Sequence, residues 1–305
     1  MNTNRGISSH GDGNTISNNA VGNHAHVITT PSEKRAATPT ADPANRSERG
    51  NWDIGIVTIL SEELRSLSDE LKLIRHKEPG GLYFYRGEHA TADSTVRIVA
   101  TQTQSQGQRS TMAALENLRR HCAPRLWALV GVGGGIHDEY ARIGNVIVST
   151  DVVYYETRKI NPLGNVQRRG EHRQAPAQVV HAVNAFFAEH GTPARIRGQF
   201  AARSSEKFEV YPGLIGSGEA VIADRDSDIR RYLAYYNEKV LAVDMEAGGL
   251  SQYWQENSVN DERNPGWIVV RGVSDNADEE KGHSHHELAA RNAAHVLRLL
   301  LPYLC

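Results

Sequence analysis

Near-continuous apolar runs that alternate with helical stretches constrain the fold of this chain more than any other feature. The first run covers residues 53–59 and leads directly into a helical stretch at 61–73, and similar runs return at 126–132 and 267–273. Apolar runs of this length are typical of strands buried on both faces, and strands separated by helices form parallel sheets. We therefore predict an α/β fold with a mixed, largely parallel central sheet flanked by helices.

The predicted elements follow one another from Trp52 to the end of the chain. Ser61 is expected to cap the first helix, with Glu62 and Glu63 in its first turn. The predicted helices cover residues 61–73, 108–121, 177–189, 246–254 and 284–301. The predicted strands cover residues 53–59, 82–88, 95–101, 126–132, 143–155, 196–202, 240–245 and 267–273.

Residues 1–50 have a different composition, with few bulky apolar side chains and many Asn, Gly, Ser, Thr and Pro residues. Such a segment buries too little surface to offset its ordering entropy, so we predict a disordered tail and linker ahead of a catalytic domain at 51–305. Within about residues 7–30, Gly-Asn pairs are spaced by single β-branched residues. This pattern resembles the short amyloid-like signalling motifs of bacterial immune effectors and implies an amyloid-like partner, and an ordinary polar tail is the alternative.

Charge and hydropathy narrow the range of partners. The formal net charge of -2 gives no reason to expect nucleic acid or an acidic membrane. No window approaches the roughly 20 consecutive apolar residues of a membrane span, and the N-terminus lacks the apolar core of a signal peptide. We therefore expect a cytoplasmic protein that binds neither nucleic acid nor a membrane.

Acidic side chains stand at three of the four strand ends that carry candidate chemistry. Glu63 follows the first strand, Glu246 follows the strand at 240–245, and Asp275 follows the strand at 267–273. Ligands of open α/β sheets bind where the strands end. The carboxyl groups therefore predict a site that handles protons and sugar hydroxyls.

The fourth strand end carries the glycine cluster 131–135, which lacks both the Gly-x-Gly-x-x-Gly spacing of a dinucleotide site and the lysine of a phosphate-binding loop. Histidines at 283, 285 and 286 lack a matching set of metal ligands. We predict no cofactor and no metal.

The order of these motifs resembles the methylthioadenosine/S-adenosylhomocysteine nucleosidases and the wider purine nucleoside phosphorylase superfamily. The resemblance covers about residues 53–301. The segments that carry it are IGIVTILSEEL at 54–64, VGVGGGI at 130–136, RIGNVIVS at 142–149, VDMEA at 243–247 and VRGVSD at 270–275.

The resemblance implies a role for each acidic residue. Glu63 matches the glutamate that activates the attacking water, and Glu246 matches the glutamate that binds the ribose hydroxyls. Asp275 matches the acid that protonates or hydrogen-bonds the purine at N7. Bond cleavage passes through an oxocarbenium-like state, so these groups would stabilise positive charge on the sugar and neutralise the departing base.

The resemblance also implies the residues that contact the substrate. Met245 is expected beside the sugar and Ser274 beside Asp275. Gly133 and Gly134 are expected to line the base pocket, and Val221 lies near the position that stacks on the base.

Two features bear on the nucleophile and the substrate. Arg109 could hold phosphate for a phosphorylase, as could Arg271, whereas a carboxylate at Glu63 would repel phosphate and favours water. The segment 156–173 carries basic residues, among them Arg158, Arg168 and Arg169, whose forked donors suit phosphate oxygens. We therefore hypothesise a 5′-phosphorylated substrate such as AMP or ATP, and a solvated charged loop is the alternative.

Three functions remain in competition. The first is a salvage nucleosidase or phosphorylase, and the second is an immune effector that hydrolyses the nucleotide pool when its N-terminal segment assembles. The third is a non-enzymatic nucleoside-binding module, which the presence of Glu63, Glu246 and Asp275 disfavours. The resemblance also implies a homo-oligomer.

Overall fold

A computed structural model describes residues 52–198, 207–260, 266–278 and 284–305. The predicted disordered tail and linker at 1–50, with its amyloid-like motif at about 7–30, lies outside the described residues. The strands are β1 Ile54–Thr58, β2 Ile74–Lys77, β3 Tyr83–Ala90, β4 Thr95–Gln102, β5 Leu126–Gly135, β6 Val146–Ser149, β7 Asp151–Tyr154, β8 Arg158–Ile160, β9 Val166–Arg168, β10 Glu171–Gln174, β11 Ala194–Arg197, β12 Lys207–Pro212, β13 Leu214–Ser217, β14 Val240–Asp244 and β15 Gly266–Asp275. The α-helices are α1 Ser61–Leu71, α2 Gln108–His121, α3 Ala177–His190, α4 Asp228–Tyr236, α5 Ala247–Asn257 and α6 His286–Leu304. Short 3-10 helices cover Pro162–Gly164 and Ser258–Asn260.

The main sheet runs in the order β10-β7-β13-β14-β5-β1-β4-β3-β2, and β15, β6, β12 and β11 extend it from β5. Its centre is largely parallel, because β1 pairs in parallel with β4 and β5, and β15 pairs in parallel with β5. Its margins are antiparallel, for example at β2–β3 and β7–β10. The predicted mixed sheet flanked by helices is therefore confirmed.

Strand β5 is the element on which the site is built. Its first half, from Leu126, pairs with β1, its length pairs with β15, and its end at Gly134 and Gly135 pairs antiparallel with β14. Because β1 and β15 run parallel to β5, the residues that follow β1 and those at the end of β15 lie beside the glycine run of β5.

The segment after β1 forms helix α1 because its apolar residues recur at helical spacing. Leu64, Leu67 and Leu71 lie at intervals of three and four and are all buried. They join a core that continues through β1, β5 and α6. The helix therefore starts at a fixed place over the sheet, and its first turn is fixed with it.

Two local predictions were wrong. The predicted strand at 143–155 is divided at Thr150, where the Ser149 hydroxyl bonds the backbone of Asp151. The break lets β6 pair with β12 and β15 while β7 pairs with β10 and β13. Ser61 is not the cap of α1, because Leu60 occupies the cap position and the side chain of Glu63 caps the helix.

Among the described residues, none of the helices combines the length and the apolar character that crossing a bilayer requires.

Candidate active site

Glu63 joins the start of α1 to the glycine run of β5. Its Oε2 accepts hydrogen bonds from the backbone N–H groups of Ile59 at 2.7 Å and Leu60 at 2.8 Å. Its Oε1 accepts a hydrogen bond from the N–H of Val132 at 2.8 Å. Three backbone N–H donors, two from the connection between β1 and α1 and one from β5, therefore hold this carboxylate in one position.

Gly131 makes room for that carboxylate. A β-carbon at position 131 would stand 2.7 Å from the farther oxygen of Glu63 and closer still to the other two carboxyl atoms. Burial raises the pKa of Glu63, although Arg271 and the three backbone N–H groups act in the opposite direction. A carboxyl group with a raised pKa is a stronger base when ionised, which suits a group that must take a proton from water.

A fully buried arginine of β15 lies between the acidic groups. Arg271 donates from Nε and Nη2 to Oδ2 of Asp244 at 3.0 and 2.7 Å, and from Nη2 to Oε2 of Glu246 at 2.9 Å. A buried guanidinium is tolerated because it is paired. Its remaining nitrogen, Nη1, is buried without a hydrogen-bond partner among the described residues.

Asp244, the last residue of β14, organises this network. Its Oδ1 accepts hydrogen bonds from the hydroxyl of Ser217 at 2.7 Å and from the backbone N–H groups of Glu246 at 3.2 Å and Ala247 at 3.1 Å. A single buried carboxylate therefore fixes both Arg271 and the first turn of α5.

Glu246 occupies the N-cap position of α5, one residue before the helix begins. Its Oε1 accepts a hydrogen bond from the N–H of Gly107 at 2.9 Å, and its Oε2 accepts the bond from Arg271. Burial raises the pKa of Glu246 to about 7, with Arg271 opposing the shift and the charge of Asp244 adding to it. Both oxygens are therefore fixed before any ligand binds.

Asp275 ends β15 beside the far end of the glycine run. Its Oδ2 accepts a hydrogen bond from the hydroxyl of Ser274 at 2.8 Å, and its Oδ1 accepts one from the N–H of Ala277 at 3.0 Å. The residue is buried, and a β-carbon at Gly134 would lie 3.2 Å from Oδ1. Because glycine has no β-carbon, Gly134 leaves space next to the carboxyl group.

The structure brings the three predicted catalytic residues together along β5. Glu63 stands at Gly131 and Asp275 at Gly134, which are three residues apart and so about 10 Å apart along an extended strand. Glu246 is linked to these two residues through Arg271, whose positive charge lowers the pKa of both Glu63 and Glu246 against the effect of burial. That span suits a ligand in which a sugar carbon lies between an attacking water and a purine base.

The predicted base and sugar contacts lie in the same region. Met245 stands half-buried between Asp244 and Glu246, and the backbone at Gly133 runs against the carbonyl of Val243. Val221 is half-exposed, at 51%, in the segment between β13 and α4, and its neighbour Ile222 is buried.

The predicted arginine ligands occupy different environments. Arg109 is exposed in the first turn of α2, two residues after the Gly107 that binds Glu246. Arg158 and Arg169 are exposed, at the start of β8 and just after β9.

The side chain of Arg168 is only 10% exposed and donates to Asp228 at 3.0 Å and to the carbonyl of Tyr155 at 3.4 Å. Its guanidinium thus links the end of β9 to α4, and phosphate binding by these arginines stays a prediction.

The model of the phosphorylase superfamily matches residues 53–304, which is most of the chain. The chain belongs to the phosphorylase superfamily. This superfamily member is 24% identical over 255 residues to the ATP nucleosidase Cap17 of Escherichia coli strain KTE188, covering 78% of the chain and 49% of the relative. It therefore spans about half the length of that relative.

Other relatives match nearly their whole length. A 5′-methylthioadenosine/S-adenosylhomocysteine nucleosidase of Glaesserella parasuis is 25% identical, with 81% of this chain and 97% of the relative covered. The solved futalosine hydrolase of Helicobacter pylori superposes with a TM-score of 0.63 at 17% identity, covering 82% and 97% of the two chains. The nucleosidase of Neisseria meningitidis, solved with methylthio-immucillin-A, gives 0.61 at 20% identity, covering 82% and 98%.

Two parts of the site were missing from the sequence prediction. Asp244 was not assigned a role, and Arg271 was considered only as a phosphate ligand. The available signal was an arginine inside the apolar run of β15, because a buried arginine needs an acidic partner.

Proposed function

We propose that this superfamily member is a nucleosidase that hydrolyses the N-glycosidic bond of a purine nucleoside or nucleotide and releases the free base. The observation that carries the proposal is the carboxylate of Glu63, held by three backbone N–H groups against Gly131. A fixed, buried carboxylate of raised pKa suits general-base activation of a water molecule. The proton of the attacking water passes to Glu63 as the oxygen bonds to the anomeric carbon.

Glu246 and Arg271 are proposed to bind the ribose. Glu246 can accept hydrogen bonds from the sugar hydroxyls. The Nη1 of Arg271, which has no partner in the described part of the chain, can donate to a hydroxyl or to the water. Positive charge develops on the sugar as the glycosidic bond breaks, and buried carboxylates stabilise it more than they would in water.

Asp275 is proposed to meet the departing base. The Ser274 hydroxyl and the Ala277 N–H fix its two oxygens, so its position beside Gly134 is set before the substrate binds. A carboxyl group that delivers or shares a proton at N7 lets the purine leave as a neutral molecule, because the electron pair of the broken bond stays on the base.

Water is favoured over phosphate by the charge of the pocket. Glu63, Asp244 and Glu246 contribute three carboxylates against the one guanidinium of Arg271, a formal charge of −2 when all are ionised. Phosphate would have to enter against that charge, and Arg271 already has two acidic partners. A phosphorylase is the second candidate function, because Arg109 at the start of α2 could hold phosphate.

A 5′-phosphorylated substrate, AMP or ATP, is our proposal within this class. The similarity to an ATP nucleosidase supports it, as do the exposed Arg158 and Arg169 on the segment that leaves the sheet after β7. A role as an immune effector and a homo-oligomeric state are part of the same proposal. Fibril formation by a peptide of residues 5–30 would support the effector role, and a peptide that stays monomeric would favour salvage.

The experiment that tests the reaction is product chromatography. The full chain is incubated with adenosine, AMP, ATP, inosine and methylthioadenosine, each with and without inorganic phosphate. We expect free adenine without phosphate, with AMP or ATP turned over fastest. Base release that requires phosphate would establish a phosphorylase, and methylthioadenosine as the best substrate would establish a salvage nucleosidase.

A further inference from the structure

One arginine outside the proposed catalytic set binds the two chain segments that enclose Asp275. Arg230 lies in the first turn of α4, and its Nη1 donates to the carbonyl oxygens of Asn276 at 2.6 Å and Ala277 at 3.2 Å. Its Nη2 donates to the carbonyl of Ile136 at 3.4 Å. Ile136 follows the glycine run of β5 and Asn276 follows Asp275, so a single guanidinium ties the two segments together.

The turn that Arg230 holds is strained. Ala277 has a φ of +50°, a conformation that residues with a side chain rarely adopt, and its N–H donates to Oδ1 of Asp275. Its buried methyl group packs beside Gly134. Strained turns persist only where surrounding contacts impose them, and the bonds from Arg230 are such contacts.

The same arginine belongs to α4, the helix that follows the segment carrying Val221 and Ile222. Helix α4 begins after the Ser227 cap, whose hydroxyl accepts the N–H of Arg230 at 3.3 Å. Ile222, from the preceding segment, shares a buried apolar cluster with Ala277. The position of α4 is therefore coupled to the position of the turn beside Asp275.

We propose that Arg230 is a positioning residue that fixes Asp275 against the base, and this inference rests on the proposed function. Arg230 acts through the carbonyl groups of Asn276, Ala277 and Ile136. Its loss would let the turn relax and shift the carboxyl group relative to N7. Misplacement of a reacting group by about 1 Å costs up to about 10²-fold in rate. The effect should therefore fall on kcat, because the groups proposed to bind the sugar are untouched.

The test uses R230M, which keeps the aliphatic stem and removes the guanidinium, with R230K as the conservative variant. R231A is the matched control, since Arg231 is the next residue of α4 and is exposed. For the best purine substrate of the panel, we expect kcat of R230M to fall by about tenfold or more with KM within about threefold. R230K should lie between R230M and wild type, because one ammonium group cannot reach all three carbonyls, and R231A should match wild type.

A second readout separates positioning from a collapsed pocket. The 7-deaza analogue of the same substrate has no N7 to accept a proton, so its inhibition constant should stay within about threefold in R230M. R230M with a wild-type kcat would overturn the inference. So would an R230M enzyme whose affinity for the analogue falls by the same factor as its kcat. If R230M does not fold, wild-type kcat in R230K would overturn it. Wild-type protein that releases no base would instead contradict the proposed function.

Discussion

A methyl group at position 131 should disable the enzyme by displacing one carboxylate. In Gly131→Ala, the new β-carbon would stand 2.7 Å from the farther oxygen of Glu63 and closer to its other two carboxyl atoms. Ordinary contact needs about 3.5 Å, so the carboxylate must move by about 1 Å. That movement strains the bonds from the N–H groups of Ile59, Leu60 and Val132, which are 2.7, 2.8 and 2.8 Å long.

The size of the effect follows from these contacts. A hydrogen bond to a charged group contributes about 1.5–3 kcal/mol, so we expect a loss of that order in the free energy of unfolding. A catalytic group moved by about 1 Å costs about 10²-fold in kcat, which equals about 2.7 kcal/mol in the barrier. Chromatography of the released base measures the loss in kcat, and urea unfolding measures the loss in the free energy of unfolding.

Two controls make this prediction decisive. Gly80→Ala adds a methyl group where nothing lies within 4 Å, and it should leave both kcat and stability unchanged. In an E63Q background, Gly131→Ala should cost less than about threefold further, because residues that act through one another are not additive. A full hundredfold loss in that background would contradict the prediction, since the methyl group would then act without displacing a carboxylate at position 63.

Two further predictions concern pH and stability. Burial raises the pKa of Glu246 to about 7 and also raises the pKa of Glu63. Because the proposed reaction needs ionised carboxylates, kcat/KM should rise with pH through about 7 as Glu246 loses its proton. A flat profile from pH 5.5 to 8 would contradict this prediction. D244A should lower the free energy of unfolding by about 3–5 kcal/mol in urea, because it leaves Arg271 with Glu246 alone. E287A, which breaks an exposed pair with Arg291, should cost about 0.5 kcal/mol or less, and equal losses would argue against the buried network.

Much of the fold could be predicted from the sequence, because apolar runs determine buried strands. Helix α2 has the predicted bounds of 108–121, and β1, β5 and β15 stand close to where the apolar runs place them. The positions of Glu63, Glu246 and Asp275 at strand ends followed from the same pattern. Parallel pairing with β5 then brings Glu63 and Asp275 to one region.

The rest depends on contacts between distant residues. The break at Thr150 separates two strands that pair with different neighbours, and no local composition marks it. The pairing of Arg271 with Asp244 joins residues 27 positions apart, and the capping of α1 by Glu63 also depends on the N–H of Val132. Such contacts are set by the packing of β5 against its neighbours.

Three buried carboxyl groups on the elements around β5, those of Glu63, Glu246 and Asp275, are proposed to cleave the bond between a sugar and a purine. The most direct measurement is the initial rate of base release by wild type, E63Q, E246Q and D275N, with the folded state of each variant checked by thermal unfolding. We expect each substitution to lower the rate by about 10²–10⁴-fold in a folded protein. A folded D275N that releases base at the wild-type rate would contradict the proposed role of Asp275 and with it the proposed mechanism.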